Sequence, residues 1–331
     1  MDSFIGSLIG QCVGDALGFI VEGRDTSTCQ DFISRFMTQP STPHWQRCKE
    51  YIFGQYSDDS QLARETYVAF VQNKGKLDPM VYSLRIALFF QPGNYRIVGY
   101  GYTTAKAGEA LWMGQHYEST GNKETTGNGS AMRSAPIGLL THKWPIKDVI
   151  QITLELSKIT HASESCMNGS VAIALATRFA MASKNKTFDG NLYLKSIASH
   201  MTLSHYATEM RNIITLLKEN TSDYIVLEHI KAYGISHGEP QWNGISVGVL
   251  QSTLWALYSF CKYPDNYVHC ISNAIACGGD VDTTAAMAGT LSGARLGLSS
   301  IPSVWAEAIH DIDSWTYKDL RHLVERAYEY I

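Results

Sequence analysis

The chain has 331 residues, 45% of them hydrophobic and 18% charged, with a formal net charge of -4 at pH 7. This composition supports a large buried core and excludes disordered and collagen-like classes. A mildly acidic chain with no run of Lys or Arg also lacks the electrostatic footprint of a nucleic-acid binder.

The elements, in chain order, are helical. Phe4, Leu8, Ile9, Cys12, Val13 and Leu17 recur on one helical stripe, and Asp2, Asp15 and the missing basic n-region argue against a signal peptide. Ala63, Tyr67, Phe70 and Val71 repeat the spacing in a helix expected to begin near Leu62. The stretches 165–183 and 244–261, rich in Ala, Leu and Val and free of proline, suggest buried central helices, and Leu320, Leu323, Val324, Ala327, Tyr328 and Ile331 form a final amphipathic one. Pro145 and Pro302 stand where a helix tolerates a missing N–H. The segment Tyr224 to Leu227 is too short to establish a strand.

Length alone suggests about two domains at roughly 150 residues each, but no linker, solenoid-period repeat or low-complexity tract divides the chain. One compact, all-α, bundle-like domain over 1–331 is therefore expected. Seven cysteines, Cys48 among them, without CxxC spacing suggest neither a zinc ribbon nor a disulfide framework, and point to a reducing, cytoplasmic setting. No segment reaches the roughly 18 to 20 uninterrupted apolar residues of a membrane span.

Glycines cluster in the loops 99–101, 127–129 and 278–279, beside polar residues. Two of the helix starts are acidic: Ser57-Asp58-Asp59 and Gly279-Asp280-Val281-Asp282-Thr283. One acid at a helix N-terminus can be a cap, worth roughly 0.5 to 2 kcal/mol. Two acids at each of two glycine-flanked starts exceed that need. Four converging carboxylates would repel one another, and divalent cations would resolve the conflict. Hard oxygen ligands favour magnesium or manganese over zinc or copper and leave calcium open, and an ion pair about 3.5 to 4 Å apart would suit hydrolysis.

These segments, with Gly14-Asp15-Ala16-Leu17-Gly18, Gly127-Asn128-Gly129-Ser130-Ala131-Met132-Arg133 and Thr160-His161-Ala162-Ser163, resemble the ADP-ribosylglycohydrolases nearly end to end. The resemblance implies an orthogonal all-α helical bundle with two magnesium or manganese ions in a central cleft. It implies cleavage at ribose C1'' of an ADP-ribosylated protein or small-molecule conjugate, with ADP-ribose as product. By position, Ser57, Asp58, Asp59, Asp280, Asp282 and Thr283 become the metal ligands, and Asp282 contacts both ions. Glu22, with Asp59 and Asp282, becomes catalytic, its bland alternative being a solvated acid beside Arg24 and Asp25.

Gly127, Asn128 and Gly129 are expected to open a helix running through Ser130 and Met132 whose N–H groups take the diphosphate. His161, at the start of another helix, is expected to touch the distal part of the ligand, while Arg133 is expected to pair structurally with an acid. The sequence departs from arginine-directed members at Gly99-Tyr100-Gly101-Tyr102, which lacks their aspartate and is similar to serine-directed members, and from the latter at Thr126, where they place an aromatic on adenine, while the Gly127 loop resembles the arginine type. Tyr100, Gly101 and Tyr102 are therefore candidate substrate contacts, with tyrosine stacking on adenine. The acidic clusters alone leave open a binuclear hydrolase of another nucleotide-linked or phosphorylated substrate, and a non-catalytic crystallin-like relative.

Overall fold

Four glycines at every fourth position of the N-terminal helix Asp2–Phe19 decide how the chain packs. Gly6, Gly10, Gly14 and Gly18 form a stripe with no side chains, and the helix Val281–Leu296 lies directly on it. A Cβ added to Gly10 would sit 2.5 Å from the Gly289 carbonyl oxygen, and one on Gly14 would sit 2.2 Å from that of Ala285. The approach is reciprocal, since a Cβ on Gly289 or Gly293 would meet the carbonyls of Gly10 and Gly6 at 2.2 and 2.0 Å. Backbone therefore touches backbone, and every residue from Val281 to Arg295 is buried.

The computed structural model describes residues 1–38, 53–94, 96–233, 242–312 and 314–331. Among these residues the fold is all-α, with isolated β-bridges and no strand. Helices Asp58–Gln72, Glu164–Ala182, Val249–Lys262 and Tyr317–Tyr328 surround the central pair, and one hydrophobic core runs from Phe4 to Ala327. Local signals account for several starts: Ser163 caps one helix, and Thr316 with Asp319 forms a capping box on the last. No helix of the described residues is long and apolar enough to cross a membrane. Six cysteines are free, and Cys48 lies outside the described residues.

Two expected boundaries move. The first of the two acidic helices begins at Asp58 rather than near Leu62, so its two acids occupy the first turn. The stretch 244–261 becomes helical only at Val249, because 245–249 is spent on loop pairing. There Ile245 N donates to Gly278 O at 3.0 Å, Asp280 N to Ile245 O at 2.9 Å, and Val249 N to Thr126 O at 2.8 Å. Tyr224 to Leu227 falls within the helix Asp223–Lys231.

Replacing Gly14 by valine forces side-chain atoms into the Ala285 carbonyl, where nothing flexible can yield. Urea unfolding of Gly14→Val is expected to show a loss of about 1 to 3 kcal/mol or more, although helix propensity alone favours almost any residue over glycine. Gly190→Ala, whose new Cβ meets nothing closer than 3.5 Å, is expected to stay within about 0.5 kcal/mol of wild type.

Candidate metal centre

The turn after the N-terminal helix is sewn to the second acidic loop. Gly23 N donates to Gly279 O and Gly279 N to Arg24 O, both at 2.8 Å. Gly278 and Gly279 have φ of +70° and +84°, and a Cβ on Gly279 would lie 2.1 Å from Ile245 O. Only glycine allows this crossing. The outcome is that Glu22, Asp280 and Asp282 bring carboxylate oxygens within 4.8 Å of one another, an acidic group able to hold a metal ion.

The first acidic pair arrives from the other side. Asp15, fully buried, accepts N–H bonds from Ser57 at 2.9 Å and Ser60 at 3.0 Å, and so anchors the start of Asp58–Gln72 to the N-terminal helix. Gln11 adds a bond from Nε2 to the Asp59 carbonyl at 3.1 Å. Ser57 is the helix cap, accepting from Asp59 N, so neither aspartate is spent on capping. The Ser57 hydroxyl donates to Asp59 Oδ2 at 3.1 Å, while Asp59 Oδ1 is buried without a partner. Such an orphaned anionic oxygen is costly unless a cation meets it.

Asp58, Asp59, Asp280, Asp282, Thr283 and Glu22 all line one cleft of about 270 Å³. A larger hollow, about 560 Å³, lies between Phe188, Lys218 and Lys262 and has Asp189 as its one acid among the described residues, so the carboxylates gather in the smaller cleft. Burial, first, and mutual repulsion, second, push the Asp58, Asp59 and Asp282 carboxyls well above the usual range. Burial raises Asp15 and Asp280 to about 6, and burial with the Asp280 and Asp15 charges raises Glu22 to about 7. At Asp58 the Arg133 charge tempers this. Glu22 is thus a cleft residue rather than a solvated acid beside Arg24.

The Gly127 loop differs from expectation in form. It makes turns over 129–133, and the helix Ala135–Leu140 follows separately. Its amides and carbonyls instead meet the 245–249 segment: Asn128 N donates to Val247 O at 3.0 Å. Gly127, Asn128, Gly129 and Met132 line the cleft, but the Asn128 side-chain amide is committed to Asp280 Oδ2 and Ser252. Ser130 lies outside the cleft lining, its hydroxyl accepting from Ser170 at 2.9 Å.

His161 lines the cleft but precedes its helix, which starts at Glu164, and forms an isolated bridge with Asn122. Burial and the Arg133 charge push its imidazole down to about 3, so it stays neutral. Arg133 is structural, though not through an acid: it donates to Gly129 O at 3.0 Å and Thr160 Oγ1 at 2.7 Å.

Gly101 and Tyr102 reach the cleft, whereas Tyr100 stacks edge-on against Phe90 outside its lining. The sequence reading missed Gly99, Thr103, Thr104, Thr125 and Val247, which also line it. Thr103 and Thr104 directly follow the glycine-tyrosine loop, an available signal. Val247 carries none, since only its pairing with Asn128 brings it in.

The sequence profile of the ADP-ribosylglycohydrolases matches residues 1–331. The chain is 27% identical over 342 residues to the ADP-ribosylhydrolase ARH3 of Xenopus tropicalis, covering 95% of this chain and 94% of that one. It is 25% identical to the human ARH3, covering 93% and 89% of the two chains. The ADP-ribosylarginine hydrolase Tri1 of Serratia proteamaculans is 25% identical, with coverage of 93% and 75%. A solved structure described as an ADP-ribosylglycohydrolase-related protein complex superposes with a TM-score of 0.69 at 23% identity over 99% of this chain and 98% of that one, which shows the shared fold.

The raised carboxyls bind protons more tightly in the folded chain than in the unfolded one, where Asp and Glu titrate near 3.8 and 4.5. Their contribution favours the metal-free fold at low pH and is lost as pH rises from about 4 through about 7. Thermal scans in chelator are expected to show a melting temperature that falls between about pH 5 and about pH 8. Magnesium or manganese at about 100 times its dissociation constant adds about 2.7 kcal/mol near pH 8 and much less near pH 5, where protons compete for the ligands. An equal metal effect at both pH values would contradict the assignment.

Proposed function

The chain belongs to the ADP-ribosylglycohydrolase family, and on that premise we propose that it is a divalent-metal-dependent hydrolase. It cleaves the bond at ribose C1'' of an ADP-ribosylated protein or small-molecule conjugate and releases ADP-ribose. The observation that carries this reading is the convergence of Glu22, Asp58, Asp59, Asp280 and Asp282 on one cleft, with Asp59 Oδ1 buried and unpartnered. Carboxylates and hydroxyls are the donors that suit magnesium or manganese. Asp58, Asp59, Asp280 and Asp282, with Ser57 and Thr283, would hold two such ions. When bound, divalent cations lower the pKa of water and order the hydroxyls of a sugar.

The chain's own groups set the rest. Glu22, a half-buried carboxyl in the cleft that is not among the proposed metal ligands, is the group placed to act as general acid or base. Asn128 steadies Asp280 by donating to Oδ2, and Thr283 N steadies Asp282 by donating to Oδ1 at 2.9 Å. Arg133 donates to Thr160 Oγ1, which lies 2.7 Å from His161 Nδ1. The imidazole is neutral, and its Nε2 stands beside Gly127 and Gly129, where it can exchange a hydrogen bond with a ligand.

The acceptor reading follows from Gly99. With φ of +79° and no side chain, it stands where a Cβ would lie 3.5 Å from Asp58 Oδ1. Among the described residues no acid beyond the central group lines the cleft, so a guanidinium acceptor finds no carboxylate there reserved for it. An oxygen-linked acceptor such as serine fits better.

Defined peptides carrying serine-linked or arginine-linked ADP-ribose provide the test. Release of ADP-ribose is expected to require magnesium or manganese and to be faster from serine. Glu22→Gln is expected to lower turnover by roughly 10² to 10⁴. Wild-type turnover in that variant would remove Glu22 from the chemistry, and faster release from arginine would reverse the acceptor assignment.

A further inference from the structure

Behind the cleft lies a second group of charged side chains whose charges, unlike those of the metal centre, are balanced internally. Arg64 and Asp311, each almost fully buried, pair through Nη1 and Oδ2 at 2.6 Å. Arg64 also meets Glu65 at 3.0 Å, and Glu65 meets Arg85 at 2.7 Å. Two cations and two anions close this network, and the Arg64 guanidinium is covered by the Trp315 ring at 4.7 Å. No cleft residue is part of it. Its outlet is Gln61, three residues beyond Asp58 and fully buried.

Gln61 makes three hydrogen bonds from one amide. Nε2 donates to Asp311 Oδ1 at 2.6 Å and to Arg96 O at 2.6 Å, while Oε1 accepts from Val98 N at 3.3 Å. Asp58 N adds a bond to Val98 O at 2.8 Å. The backbone of 96–98 is thereby held from both sides, immediately before Gly99, Gly101 and Tyr102, which form part of the cleft wall. Arg96 Nη1 donates to Ser314 Oγ at 3.1 Å, and Ser314 Oγ donates to Asp311 O at 2.6 Å, which ties the same segment to Asp311 by a second route. Gly99, Gly101 and Tyr102 are exposed; the helix Tyr102–Trp112 holds the far end of the wall and Ile97 packs in the core, which leaves Gln61 as the side chain that fixes the backbone between them.

We propose that Gln61, held in place by Asp311 and Arg64, is a positioning residue that sets the 96–102 wall of the cleft and through it the binding of substrate. An amide is required because two donors and one acceptor are used at once. The link to substrate rests on the function proposed above; the link to the wall does not.

Gln61→Met keeps the packing and removes all three bonds, avoiding the larger risk of breaking the buried Arg64–Asp311 pair. Amide hydrogen exchange over 97–102 is expected to quicken about tenfold in this variant, and KM for the serine-linked peptide to rise about tenfold, with kcat and the manganese dissociation constant within about twofold of wild type. Gln61→Glu retains the acceptor for Val98 but sets a carboxylate against Asp311. Its exchange, taken relative to wild type at each pH, is expected to return toward wild type as pH falls and the new carboxyl regains an O–H donor. Unchanged exchange over 97–102 in Gln61→Met, or a fall in kcat with KM unmoved, would overturn the proposal. If wild type releases no ADP-ribose from any conjugate, the function reading fails, while exchange still decides the role of Gln61.

Discussion

Direct backbone contact between Asp2–Phe19 and Val281–Leu296 is the constraint on which the molecule depends. The glycine stripe brings the axes closer than any side chain would permit, and it ends at Gly18 against Val281 and Asp282. The turn bearing Glu22 must therefore emerge beside the Asp280 loop. Asp15, on the same helix, receives the first amides of Asp58–Gln72 and fixes the other acidic pair. One packed pair of helices thus places all the carboxylates of the cleft.

Electrostatics separates two buried acidic environments that sequence would treat alike. Asp311 and Glu65 are neutralised by Arg64 and Arg85 and hold structure. Asp58, Asp59, Asp280 and Asp282 have no ion-pair partner among the described residues, and their raised carboxyls record the cost of burial without one. A cluster of carboxylates left without a counter-ion, in a fold that pairs Asp311 and Glu65 with Arg64 and Arg85, is an argument for an exogenous cation.

The sequence made the helices and the acidic pairs plain because both are local patterns: apolar spacing for the helices, and more acids than a helix start needs for the site. Ser57, not an aspartate, turns out to be the cap at Asp58–Gln72, and Asp280 makes no side-chain cap bond, which is why the surplus was informative. What stayed hidden is tertiary. The Gly127 loop carries helix-start residues, but its amides pair with 247, so it makes turns instead. Tyr100 and Tyr102 look equivalent in sequence, yet Phe90 captures one of them. Arg133 finds a carbonyl and a hydroxyl rather than an acid. Gly6 and Gly10 carry no motif that distinguishes close packing from chance.

The central claim is that the cleft carboxylates are a divalent-cation site, and calorimetric titration of manganese into the metal-free protein tests it most directly. The account expects two ions bound per chain in the wild type and binding weakened or lost in Asp282→Asn, with the fold retained. An absence of binding, or identical isotherms for the wild type and Asp282→Asn, would contradict it.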